Sequence, residues 1–271
     1  MSLKVNRFLV LLTMFFWAPH ALLRGAEITL TAPQNCQVTQ RTSTVNGTVH
    51  IAGVLSETLP IDTVFEARLL NETNDAEWQT LNAKIVGQSI EAKFEGLAGG
   101  WYRLEVRGSL DQKMIAQTAV EHVGIGELFV VAGQSTSANH GEEKLVPTSG
   151  RVLAFDGKGW RLTFDPQPGA SGGGGNFIPV FGDALAEKFD VPIGIVACGI
   201  GATSVREWLQ KGSTFPNPPT IENRVTKLPS GESERPDAHA YGRAISRVLG
   251  ESYPRLGLRN KMGRSVVCSA G

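Results

Sequence analysis

A chain of 271 residues is long enough, at about 150 residues per domain, for one or two domains with a real core. Hydrophobic residues make up 41% and charged residues 19%, which excludes a disordered chain, while 31 glycines point to many loops. The 26 Lys and Arg balance 26 Asp and Glu, so no sequence-wide basic field exists to hold nucleic acid or an anionic membrane. The balance hides an asymmetry: residues 1–26 carry Lys4, Arg7 and Arg24 with no acid, and residues 242–271 carry six bases against Glu251 alone.

The first predicted element is a leader. Lys4 and Arg7 precede an apolar run over residues 8–18, the length of a signal-peptide core and short for a bilayer span. Export is expected, to the outside, the periplasm or the cell surface, with a signal peptide over residues 1–26 removed near Ala26. Pro19-His20-Ala21 and Arg24-Gly25-Ala26 both lack a small residue two places before the terminal alanine, which leaves an uncleaved anchor as the alternative. Cys36, Cys198 and Cys268 lie far apart with no CxxC or Cys/His cluster, so neither a disulfide framework nor a metal site is encoded. Cys198 reads as a small buried hydrophobe. Asn46-Gly47-Thr48 and Asn71-Glu72-Thr73 are glycosylation sequons, meaningful only in a host that glycosylates exported proteins.

Residues 27–122 are predicted to form an antiparallel β-sandwich domain, from β-rich runs at 48–54, 64–70, 89–94, 101–106 and 114–122. Tyr102, Leu104 and Val106 alternate with Arg103, Glu105 and Arg107, which places apolar groups on one sheet face and charges on the other. From Gly126 the pattern changes. Residues 128–132, 151–155 and 193–198 are continuous apolar runs, as in strands covered on both faces. Between the last two, Phe181, Leu185 and Phe189 recur every fourth residue and predict a helix over 179–189. Strand, helix, strand implies a parallel α/β sheet. A second helix is predicted from Thr203 or Ser204 as cap through Leu209, and Ser171 with Gly172–Gly175 reads as a flexible loop.

Ligands of open parallel sheets bind beyond the carboxyl ends of the strands. After the first apolar run stands Gly133-Gln134-Ser135-Thr136, a serine presented at a strand end beside a glycine, which suits a nucleophile and equally a turn-forming serine. After the third stands Gly199-Ile200-Gly201-Ala202-Thr203, where glycines free backbone amides near a helix start. A plain tight turn is the bland alternative. A dinucleotide loop is the rival, weakened because Ser204 takes the place of the third glycine.

Residues 126–135 (GELFVVAGQS), 181–189 (FGDALAEKF) and 191–209 (VPIGIVACGIGATSVREWL) together resemble the sialate O-acetylesterase-like carbohydrate esterases of SGNH-hydrolase type. The resemblance spans about residues 126–229. It implies a three-layer α/β/α SGNH-hydrolase-like domain over residues 123–241, behind the β-sandwich. It also implies metal-free, cofactor-free hydrolysis of O-acetyl groups on sialic acid or another acetylated sugar. Ser135 would be the nucleophile, with the amides of Ser135 and of Gly199 or Gly201 forming the oxyanion hole. Gln134, Thr203 and Arg206 would contact the substrate. No partner besides the acetylated carbohydrate follows, and no membrane beyond the anchor.

A serine hydroxyl also needs an imidazole and usually a carboxylate. His140 lies on the nucleophile's own loop. His239, in Asp237-Ala238-His239, is the remaining candidate base, although the family element has Asp-x-x-His spacing. The family's Gln-Gly-Glu-Ser-Asp block is not recognisable, since Ser230 and Glu234 flank Gly231-Glu232-Ser233, and Thr136 departs from the Asn that commonly follows GQS. The α/β domain is therefore expected to be C-terminally incomplete, the chain truncated or frame-shifted, with residues 242–271 a basic tail, and activity in doubt. The alternative from another class is a non-catalytic carbohydrate-binding or cell-surface module with a degenerate esterase core. A nucleotide-dependent enzyme is a further rival.

Overall fold

The structure, a computed structural model, describes residues 26–71, 76–203 and 208, with the backbone of 214–217, 231–234 and 266–269. Nine strands come first: β1 (Ala26–Ala32), β2 (Gln37–Gln40), β3 (Gly47–Leu55), β4 (Val64–Leu70), β5 (Gln79–Thr80), β6 (Lys84–Val86), β7 (Ser89–Leu97), β8 (Gly100–Leu110) and β9 (Lys113–Gly133). Then follow β10 (Val152–Phe155), β11 (Trp160–Leu162), the helix α1 (Ile178–Phe189), β12 (Ile193–Ala197), β13 (Thr214–Asn217), β14 (Gly231–Glu234) and β15 (Val266–Ser269).

Period-two alternation builds the first half. In β7, Ile90, Ala92 and Phe94 turn inward while Glu91, Lys93 and Glu95 face water. In β4, Phe65, Ala67 and Leu69 do the same. These residues meet Ile51, Leu104, Val106, Val123 and Ile125 in one buried cluster, so β4, β8 and β9 pack over β1, β3 and β7. The β8–β9 hairpin closes on two residues, Asp111 and Gln112, with φ of 50° and 64°. Two left-handed residues give the turn a twist that matches the flanking strands.

β9 is 21 residues long and belongs to both halves of the molecule. Its first part pairs antiparallel with β8, from Leu110↔Lys113 to Gly100↔Ile125. Its last part pairs parallel with β12, from Ile193↔Glu127 to Ala197↔Val131, and with β15, from Val266↔Val130 to Ser269↔Gly133. The predicted boundary at 122/123 falls inside this strand. At the same point Arg41 Nε meets Glu127 Oε1 at 2.7 Å, Gln40 Nε2 donates to Glu127 Oε2, and Leu128 N–H donates to Gln40 Oε1, which fastens the end of β2 to β9.

Strands β11, β10, β12, β9, β1, β3, β7 and β6 lie side by side in one mixed sheet, and β13 pairs with β14 apart from it. Every residue of β10 and β12 is buried, as continuous apolar runs require. The predicted helix is present as α1, whose Ile178 and Ala186 pack with Phe129, Val152, Ile193 and Ile195.

The three-layer α/β/α SGNH-type fold expected from the resemblance is overturned. Among the described residues α1 is the one α-helix, and it covers one face of the parallel strands. The opposite face is filled by Val38, Phe155, Trp160, Cys198 and the partly buried Trp101 and Trp208. Among the described residues, side chains from strands and loops occupy the place of a second helical layer, and the result is a mixed β-sheet protein. The expected helix after Thr203 and the basic tail fall largely outside the described residues. No helix among the described residues is long and apolar enough to cross a membrane.

Candidate functional site

Gly133 ends β9 with a φ of 143°, and the chain then makes one 3-10 turn over Ser135–Ser137. Parallel pairing puts the carboxyl end of β12 beside it, so the two segments singled out in the sequence are neighbours. Ile200 N–H donates to Gly133 O at 2.9 Å. A Cβ on Gly199 would stand 2.0 Å from Ser137 O, inside any real contact, so only glycine lets these backbones approach. The imidazole of the exposed His140 lies against Gly201.

The segment 171–175 is the third wall. Asn139 N–H donates to Ser171 O, Gly174 N–H to Asn139 O, and Gly141 and Gly175 exchange both backbone bonds at 2.9 and 2.7 Å. The glycine tract expected to be a flexible loop is thus a bonded clasp. A Cβ on Gly175 would fall 1.6 Å from Glu143 O, which explains glycine there. Beneath the clasp lies a buried polar network. Asn139 Nδ2 donates to Gln167 O and Ala170 O, and Gln167 N–H returns to Asn139 Oδ1. Asp165 accepts from Leu145 N–H, Asn176 N–H and Gln167 Nε2. All of these groups are satisfied, so the network fixes the loops instead of awaiting a ligand.

Ser135 is exposed, and its hydroxyl donates to Gln134 Oε1 at 2.8 Å. Gly201 N–H donates to Ser171 Oγ at 2.7 Å and is therefore not available to an oxyanion. Thr203 Oγ1 donates to Ile200 O at 2.7 Å and accepts from Trp208 Nε1 at 3.2 Å. Gln134, Ser135, Gly199, Gly201 and Thr203 are brought together at one end of the sheet, whereas Arg206 and His239 lie outside the described residues. The bond to Ser171, read in the sequence only as part of a flexible loop, and the Asn139, Asp165, Gln167 and Asn176 network went unread in the sequence. The one available signal was the clustering of amides and an aspartate around the glycine tract.

The esterase assignment does not survive this geometry. No histidine hydrogen-bonds Ser135 among the described residues, and the nearby buried carboxylate, Asp165, is occupied by three other donors. A hydroxyl without a base stays a poor nucleophile. Cys198 is buried, as read, and no group of three His, Cys, Asp or Glu side chains gathers for a metal among the described residues. Fold and site define a mixed β-sheet protein whose hydrogen-bonded polar loops meet at the carboxyl ends of β9 and β12. No protein-family model matches the chain, and no curated protein matches it either. The likeness to sialate O-acetylesterases therefore stays confined to short motifs, and neither the family, the hydrolase activity nor its enzyme class carries over.

Proposed function

We propose that this chain is an exported, non-catalytic carbohydrate-binding module that seats a neutral sugar at the carboxyl ends of β9 and β12. The observation that carries the reading is electrical. The three segments that meet there, 134–141, 171–175 and 199–203, contain no Asp, Glu, Lys or Arg, and they present Gln134, Ser135, Thr136, His140, Ser171 and Thr203. Such a seat matches a polyhydroxylated ligand, acetylated sugars included, through hydroxyl and amide hydrogen bonds. The segments themselves carry no positive charge to hold a phosphate or a nucleic acid, and the exposed Glu142, Glu143 and Lys144 that follow the first of them add one net negative charge. The basic, apolar start of the chain supports export.

Calorimetric titration with neutral and acetylated monosaccharides and short glycans tests this. Binding is expected to weaken in Thr136→Ala and to change little between about 50 and 500 mM salt, because no ion pair contributes. Absence of heat with every sugar would sink the reading. Purified protein is expected to turn over p-nitrophenyl acetate no faster than its Ser135→Ala variant, and Ser135-dependent turnover would overturn the non-catalytic assignment.

A further inference from the structure

The end of the β-sandwich where β9 begins is apolar and open to water. The registers Ile28↔Leu55, Val54↔Ser89, Val86↔Ser89, Val64↔Ser109 and Ser109↔Met114 show that β1, β4, β7 and β9 start there and β3, β6 and β8 finish there. Val54 and Val86 flank Ser89 on one sheet, Val64 and Met114 flank Ser109 on the other, and all four are exposed. Residues 56–63 cross from sheet to sheet. Ser56 Oγ accepts from Glu27 N–H and Ser56 O from Gln88 Nε2, while Thr63 donates both its N–H and its hydroxyl to Pro60 O. The turn so closed holds Ile61 97% exposed. Single exposed apolar residues are ordinary; five around one end of a domain mark a contact surface.

The same end receives the start of the chain. Ala26 pairs parallel with Ala116, two residues along β9 from Met114. In the sequence, seven residues separate the apolar run 8–18 from Ala26, a reach of at most about 25 Å. We propose that this end of the sandwich lies on a lipid surface, with residues 1–25 retained and the run 8–18 held in the same bilayer. One weak membrane signal gives reversible attachment, and a second makes it stable. The exposed Glu27, Glu57, Asp62 and Asp111 stand there against Lys113 alone, which disfavours an anionic surface and selects zwitterionic headgroups, whose ammonium groups can meet carboxylates. β9 leads away from this end for up to about 65 Å, at about 3.3 Å per residue, so the loops after Gly133 face away from the membrane. The proposal does not rest on the sugar-binding reading.

The full chain, residues 1–25 included, is mixed with phosphatidylcholine vesicles and its partition measured by flotation. The double variant Ile61→Ser with Met114→Ser is expected to lower partition about tenfold, because two apolar side chains no longer leave water. Val146→Ser, an exposed apolar residue on the loops beyond Gly133, is the control and should change nothing. All three side chains are exposed, and an unchanged urea midpoint checks that folding is intact. Depth is read separately with brominated lipid, which quenches nearby tryptophan. The emission added by Ile61→Trp is expected to be quenched, and that added by Val146→Trp is not. Partition of the double variant equal to wild type, or equal quenching at 61 and 146, would overturn the proposal. So would a dimer formed without lipid that Ile61→Ser dissolves, since a second copy of the chain would then be the occupant.

Discussion

Glu105 points to the outward side of β8 and is only 5% exposed, pinned by Arg68 Nε at 2.7 Å and Arg103 Nε at 3.0 Å. Burial alone would raise its carboxyl, but hydrogen bonds and charge from Arg68, then Arg103, outweigh that and hold it below the ordinary glutamate value. A depressed folded pKa contributes stability that is present above the unfolded value and lost as pH falls through the folded one. Glu105→Gln is expected to cost about 1–3 kcal/mol near neutral pH, toward the lower end because both guanidiniums are partly open to water. The gap to wild type should close as pH falls below the unfolded value, 4.5. Urea unfolding at about pH 7, 5 and 3 measures it, and a gap that ignores pH would refute the charge argument. At the seat, Gly199→Ala drives a methyl into Ser137 O, with an expected loss of about 1–3 kcal/mol and weaker sugar binding, checked by unfolding and calorimetry.

Among the elements, the β8–β9 hairpin carries visible strain, because Asp111 and Gln112 both adopt a conformation natural to Asn and Gly. The double change Asp111→Asn with Gln112→Gly is expected to stabilise the protein by about 1 kcal/mol, seen as a higher urea midpoint with unchanged slope. Elements with a strong period were legible in the sequence. The Phe181, Leu185 and Phe189 spacing located α1, and the all-apolar runs located β10, β12 and the end of β9. What covers a face was not legible. Trp101 on β8, Trp160 on β11 and Val38 on β2 come together only through long-range pairing, and sequence spacing gives no hint that they replace a helix layer. The site was half legible for the same reason. Gln134, Ser135 and the glycine bend carry local turn signals, whereas the bond from Gly201 N–H to Ser171 Oγ joins residues thirty apart and shows only once the clasp has formed.

For the molecule as a whole, β9 makes the two sheet regions one body. The part-buried Arg41–Glu127 pair and the parallel ladder to β12 begin where the antiparallel ladder ends, with no linker between. A single cooperative transition is therefore expected. Leu104→Ala in the first core and Ile195→Ala in the second should each cost about 2–5 kcal/mol and shift the same unfolding curve, read by both circular dichroism and tryptophan emission. Two separable transitions, each answering to one substitution, would contradict this.

A backbone common to both regions also limits how such a gene can be rearranged. Swapping in another front half by a crossover near residue 122 would have to reproduce the side-chain phase of a 21-residue strand, since a slip of one position would exchange its two covered faces, moving Val131 and Phe129 from the α1 side to the side of Val38 and Trp160. The halves are thus poor cassettes for recombination, and grafts that aim to transplant the sugar seat must carry β9 along from its first residue.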